Sequence, residues 1–272
     1  MRISLNTSKW YDPAWAAFIY FTRLPLWRLH EPPRECYRAV VEFWPLVGWL
    51  TGGVTAAVIY FGGYIFPHTI AVLMAIATRM LLTGAFHEDG LADFFDGFGG
   101  GGSDRKRILD IMKDSHIGTY GVLGLGVYLL LLFFSLSSMS APVAALTVLA
   151  ADPFCKMVAA QTVSMMPYAR TEETSKSHVV YRKASLKAGL SMLFQGAAPL
   201  IFVLYATDGM LRWDLFFLVP CVVMYFLYLI IWRKLRGYTG DCCGAAFLLT
   251  ELSFYLCAAY QFFNNKALWT LF

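Results

Sequence analysis

Charge is scarce in this chain. Asp, Glu, Lys and Arg make up 15% of the 272 residues, whereas 58% are hydrophobic and the mean hydropathy is +0.55. A soluble globular domain carries about 25% charged residues, so that class is excluded. The composition indicates one polytopic membrane domain, 1–272, built as an all-α transmembrane helix bundle. Other absences narrow the reading. The six cysteines (36, 155, 221, 242, 243, 257) show no Cys-x-x-Cys spacing, which argues against a zinc site or a disulfide framework. The first residues are polar and Trp10-Tyr11-Asp12-Pro13 interrupts any early apolar core, so no cleavable signal peptide is expected. No internal repeat or low-complexity linker is visible. The net charge of +4 comes from basic residues in membrane-flanking loops, so no nucleic acid partner is expected.

What is abundant is apolar sequence in long runs. Seven segments approach the ~20 residues needed to cross a bilayer: 40–62, 69–86, 117–138, 142–166, 188–206, 214–233 and 242–263. An eighth piece, 13–22, is too short and rich in aromatics, and is expected to lie in the interface or re-enter. Alternating the loops puts 17 Lys and Arg on one side, or 18 of 22 with Arg233, against Arg212 and Lys266 on the other; Arg79 and Lys156 fall inside spans. The positive-inside bias then places the N-terminus and the long loops in the bacterial cytoplasm and the C-terminus outside the inner membrane.

The densest chemistry follows the second apolar run. His87 to Gly97 holds four carboxylates within nine residues. Asp89, Asp93 and Asp96 are spaced i, i+4, i+7; the second and third lie about 20–40° from the first around a helix axis, so all three project from one face. Like charges so placed repel, and a divalent cation relieves the repulsion; Mg²⁺ takes oxygen ligands and works on phosphates. Glu88 points less well along this face. The bland alternative is a hydrated helix end whose acids pair with Arg105, Arg107 or Lys113.

Weaker signals surround this cluster. The run 99–102 is four glycines, whose amides can approach a phosphate, Gly100 and Gly101 centrally; it lacks the Walker Lys-Ser/Thr, and a plain hinge fits equally well. Ser103-Asp104 reads as an N-cap for a short amphipathic helix from Arg105 to Asp114. Lys113 and His116 stand at a membrane entry, where snorkelling is the simpler account. Arg23 alone is a positive-inside anchor. Gly237-Tyr238-Thr239-Gly240-Asp241 sets an acid at a helix start, either as a cap or as a site residue. Glu42, Glu251, Asp152 and Lys156 fall in or near spans; the last two, at i, i+4, are expected to neutralise each other.

The segments HEDGLADFFDG (87–97), IMKDSHIGTYGVLGL (111–125), FTRLPL (21–26), PYAR (167–170) and GYTGDCCGA with LTE (237–251) together resemble cobalamin synthase, the adenosylcobinamide-GDP ribazoletransferase family, in order and spacing from about 18 to 260. The resemblance implies a Mg²⁺-dependent integral-membrane enzyme of late vitamin B12 assembly. The 5′-hydroxyl of α-ribazole, or of α-ribazole 5′-phosphate, would attack the cobinamide-linked phosphorus of adenosylcobinamide-GDP, releasing GMP and forming adenosylcobalamin or its phosphate. Asp89, Asp93 and Asp96, with Glu88 behind them, would hold the metal. Asp241, Asp96 and Lys113 would be catalytic, with Asp241 completing the metal shell or taking the proton. Arg23, Gly100, Gly101 and His116 would contact substrate. The family often has Arg where His116 stands, and the stretch Thr171 to His178 is unusually polar here. An ion-coupled secondary transporter using the intramembrane acids, or a CDP-alcohol-type lipid phosphotransferase, are the competing readings. A homo-oligomer is left open.

Overall fold

The computed structural model describes residues 9–170, 179–207 and 212–265. The polar stretch 171–178 and the chain end after 265 lie outside the described residues, and with them the expected exterior C-terminus. Among these residues ten α-helices follow one another: α1 (Asp12–Phe21), α2 (Trp44–Gly62), α3 (His68–Thr83), α4 (Phe86–Gly100), α5 (Arg105–Lys113), α6 (Thr119–Ser137), α7 (Ala141–Met165), α8 (Leu186–Ala206), α9 (Trp213–Leu235) and α10 (Gly240–Asn264). A 3-10 stretch, Arg34–Phe43, leads into α2. No strand occurs among the described residues.

Local sequence sets the boundaries. Prolines open α1, α2 and α7 within the first turn, where the missing N–H costs nothing. Asp104, Ser185 and Thr239 cap α5, α8 and α10 with their side chains. Gly84 and Ala85 both take left-handed backbone angles, φ 67° and 54°, and turn the chain by 90° between α3 and α4. Among the described residues six helices are long and apolar enough to cross a membrane, and the bent α3–α4 pair would make a seventh. The expected second span therefore ends at the elbow. The acidic stretch is a separate helix rather than that span's tail. At ten residues, α1 is too short to cross, as its sequence implied.

α7 and α10 form the centre of the bundle, largely buried, while α6, α8 and α9 present Leu123, Phe134, Phe194 and Phe226 outward. Helices in lipid gain little from hydrophobic transfer and rely on close packing of small residues. α2 meets α7 in this way. A Cβ at Gly48 would lie 2.8 Å from the Pro153 Cα, and one at Gly52 3.0 Å from the Asp152 Cβ.

The charges inside the bundle satisfy one another. Arg79 on α3 donates to Glu251 on α10 at 2.6 Å and to the Tyr128 hydroxyl on α6 at 2.9 Å. The Tyr255 hydroxyl donates to the other Glu251 oxygen at 2.8 Å. Lys156 pairs with Asp152, donates to Thr51 at 2.8 Å and sits 4.5 Å from the Phe247 ring centre. Arg182 makes a two-pronged bond to Glu42, at 2.6 and 2.8 Å. The acids that a transporter would use as an ion path are thus closed into pairs, and the transporter reading loses its support.

Candidate active site

α4 lies against α10, α6 and α5. Its outward stripe runs Phe86, Asp89, Asp93, at i, i+3, i+7. Asp89 is exposed and Asp93 half-buried. Asp96, one turn further, is buried, and both its oxygens are occupied. Oδ2 accepts from the Gly118 amide at 2.7 Å and Oδ1 from the Gly121 amide at 2.8 Å. These are amides of the first turn of α6, so Asp96 caps that helix from outside and sits at the positive end of its dipole. A Cβ at Gly118 would fall 2.5 Å from the Asp96 carboxylate, which is why this turn carries glycine. The MKDS-x-IG segment is thereby bound to the acidic helix.

Asp241 reaches the same helix from the far end of the sequence. Thr239 caps α10, its hydroxyl accepting from the Cys242 amide at 3.3 Å and donating to Asp241 Oδ2 at 3.4 Å. The first turn of α10 rests on Gly90, where a Cβ would lie 3.1 Å from the Asp241 Cα. One turn on, a Cβ at Gly244 would lie 3.3 Å from the His87 carbonyl oxygen. The two glycines let α4 and α10 approach closely, and they set the Asp241 backbone against Gly90, the residue that follows Asp89.

The loops are tied to this junction. Tyr238 N donates to the Pro167 oxygen at 2.9 Å and Ala169 N to the Tyr238 oxygen at 2.8 Å, so PYAR and GYTG pair over a short parallel bridge. A Cβ at Gly237 would lie 2.6 Å from the Pro167 oxygen. Arg105 at the start of α5 donates to the Leu235 and Ala169 carbonyls, both at 2.7 Å, and Arg170 donates to the Leu109 carbonyl at 2.8 Å. None of these main-chain contacts was legible from residue spacing. The only hint was that PYAR and GYTG were both expected at span ends on the same side of the membrane.

The other expected residues separate. Arg23 is exposed; its amide donates to the Leu82 oxygen at 2.7 Å and its side chain lies over Gly84, at the amino end of α4. Lys113 is exposed at the end of α5. His116 is exposed too, with Nδ1 2.7 Å from Asp114 Oδ1. That hydrogen bond raises the imidazole above its ordinary value and holds Asp114 below the usual carboxylate range. Glu88 departs from its expected role. It turns into the core, 3.7 Å from Arg79, about 100° from the Asp89 direction as consecutive helical residues must be. Gly100 and Gly101 also differ from expectation. They end α4 and pack on α5, where a Cβ at Gly101 would lie 2.9 Å from the Ile108 Cα. The Gly101 amide is used by the Gly97 carbonyl at 2.9 Å. A helix C-terminus exposes carbonyls and carries partial negative charge, the wrong polarity for phosphate.

The donor chemistry suits a hard divalent cation. Asp89, Asp93 and Asp241 offer only oxygen, and α4 and α10 meet without an intervening Cβ. Among the described residues no three His, Cys, Asp or Glu side chains converge into a ready-made cage. Mg²⁺ is ordinarily held by one or two carboxylates together with substrate phosphates and water, so an open set is compatible with it.

The family model described as cobalamin-5-phosphate synthase matches residues 13–259. The chain is similar to the adenosylcobinamide-GDP ribazoletransferase of Leptospira interrogans, 35% identical over 247 residues, covering 89% of this chain and 92% of that one. It is 35% identical to the Vibrio parahaemolyticus protein of the same description over 250 residues, covering 92% of each chain. It is 37% identical to that of Shewanella sp. (strain W3-18-1) over 240 residues, covering 87% and 89%. No solved structure matches.

Proposed function

The chain belongs to the cobalamin-5-phosphate synthase family, and from that premise we propose that the α4–α10 junction joins adenosylcobinamide-GDP to α-ribazole or α-ribazole 5′-phosphate. A ribose hydroxyl of the acceptor attacks the cobinamide-linked phosphorus. The new bond is ribose oxygen to phosphorus, the broken bond is phosphorus to the bridging oxygen, GMP leaves with that oxygen, and the hydroxyl proton passes to a base. An acceptor already phosphorylated at 5′ keeps that phosphate in its product, so the attacking oxygen is not the 5′ one; this corrects the 5′-hydroxyl expected from the resemblance.

The observation that carries the reading is the first turn of α10 laid on Gly90, which brings the Asp241 backbone to the α4 turn that carries Asp89 and Asp93. Phosphoryl transfer needs placement and charge neutralisation more than covalent chemistry. Asp89, Asp93 and Asp241 would hold Mg²⁺, which when bound supplies neutralisation of the pyrophosphate and of the departing GMP. The carboxylate among them not engaged in holding the ion takes the hydroxyl proton. Arg23 meets phosphate oxygens from the amino end of α4. Asp96 fixes α6 beside the junction, and Arg105 fixes the loop that delivers Asp241. Lys113 and His116 act at the rim on the bulk of the substrate. The positive-inside bias puts this end of the bundle in the cytoplasm, where nucleotide substrates are found.

The test is GMP release by the purified protein from adenosylcobinamide-GDP and α-ribazole. Release should require both substrates, stop with EDTA and return with excess Mg²⁺. Full release in EDTA would remove the metal from the account, and no release under any condition would remove the activity.

A further inference from the structure

The α4 stripe begins with a ring that the carboxylate chemistry does not use. Phe86 is 39% exposed, although it belongs to an aromatic cluster whose other members are buried or half-buried. Phe21 and Trp44 stack at 5.4 Å and 13°, and His87 stacks on both, at 6.1 and 5.6 Å. Phe86 stands edge-on to this column, with ring centres 6.0 Å from Phe21 and 5.5 Å from His87. Tyr20 also stands edge-on to it, at 5.5 Å and 74°, and the Tyr20 hydroxyl accepts from Tyr181 at 2.9 Å. The ring is therefore fixed by its neighbours and still open outward. Asp89 lies one turn along the same face, and Arg23 lies over Gly84, two residues before Phe86.

A rigid open ring next to a cation and a row of carboxylates matches a substrate that joins a flat base to a phosphate through a ribose. Stacking on an aromatic face suits any such base, and its strength depends little on which base it is. We propose that Phe86, braced by Tyr20, is the stacking platform for a heteroaromatic base of one substrate, at the amino end of the carboxylate stripe. The base is either the benzimidazole of the acceptor or the guanine of the donor. This rests on placing the transfer at α4. An aromatic residue at a membrane interface can also serve only to anchor the helix in lipid headgroups. The two roles differ in what they do to substrate affinity.

The experiment is steady-state kinetics on the full chain, with each substrate varied in turn, for Phe86→Leu, Phe86→Trp and Asp89→Asn. Stacking on one base is lost in Phe86→Leu, so the KM of one substrate should rise about tenfold while kcat stays near wild type, and Phe86→Trp should restore that KM. A rise in the α-ribazole KM assigns the benzimidazole. A rise in the adenosylcobinamide-GDP KM, with weaker inhibition by GMP, assigns guanine. Unchanged KM values in Phe86→Leu, or equal impairment in Phe86→Trp, overturn the platform. If Asp89→Asn is inactive in the same preparation, the transfer site stands and only the platform falls; if Asp89→Asn is fully active, the site assignment falls with it.

Discussion

Replacing Asp96 by Asn separates a helix cap from a metal ligand, because the two roles lose different things. The buried carboxylate accepts the Gly118 amide at 2.7 Å and the Gly121 amide at 2.8 Å. Asn keeps one acceptor oxygen and turns an NH₂ toward the other amide, leaving a buried N–H without a partner at a cost of about 1–3 kcal/mol. Loss of the negative charge at the α6 N-terminus adds about 0.3–1 kcal/mol. A total of about 1–4 kcal/mol corresponds to a melting temperature lower by roughly 3–16 °C for a chain of this size. The assay is loss of helical circular dichroism on heating the detergent-solubilised protein, alongside Asp89→Asn. Asp89 is exposed, so that change should move the melt by no more than about 1–2 °C. Below its melt, Asp96→Asn should keep the wild-type Mg²⁺ requirement. An unchanged melt together with a steeply raised Mg²⁺ requirement would show that Asp96 is a ligand and that the capping argument is mistaken.

Three other expectations follow from the same geometry. Arg79→Met leaves Glu251 and Glu88 buried without their cation and should cost about 3–5 kcal/mol, seen as a sharp fall in folded yield; wild-type yield and melt would mean that the Arg79–Glu251 bond is dispensable. His116 should titrate above the ordinary imidazole value of about 6.5, because the Asp114 carboxylate favours the protonated ring. The His116–Asp114 pairing is then fully present below that ordinary value and fades as pH rises through the raised one; Asp114→Asn should return the NMR titration of His116 to the ordinary range, and an identical curve in both proteins would refute the coupling. Reporters inserted after Gly102 and after Ser138 should read cytoplasmic and exterior respectively, and the same side for both would break the assigned orientation.

The residues that were readable in advance are those governed by local periodicity. Apolar runs of about 20 residues placed α2 and α6–α10 within a few residues, and the Asp104 cap and the Asp152–Lys156 pair follow from neighbours within one helical turn. The i, i+4, i+7 spacing put three aspartates on one helical face. It could not show that the third one spends its oxygens on amides 22 and 25 residues away. The elbow at Gly84-Ala85 was hidden because the second left-handed residue is an alanine, whose sequence carries no turn signal. The glycine run left phosphate contact and a plain hinge equally open because composition does not tell a helix N-terminus from a C-terminus, and the electrostatics of the two are opposite. The meeting of Asp241 with α4 depends on two separated glycines, Gly90 and Gly244. Their small size has meaning only once the helices are seen to cross there.

Asp241→Asn tests the central claim most directly. Thr239, not Asp241, is the side-chain cap of α10, and Asn itself is well tolerated at helix starts, so only the first-turn charge of Asp241 is lost, about 0.3–1 kcal/mol, and the melt should stay within about 4 °C of wild type. If the first turn of α10 and the stripe of α4 form one transfer site, GMP release from adenosylcobinamide-GDP and α-ribazole should fall by at least about a hundredfold, as expected when a group that stabilises transition-state charge is lost. A folded Asp241→Asn protein that releases GMP at the wild-type rate would contradict the account.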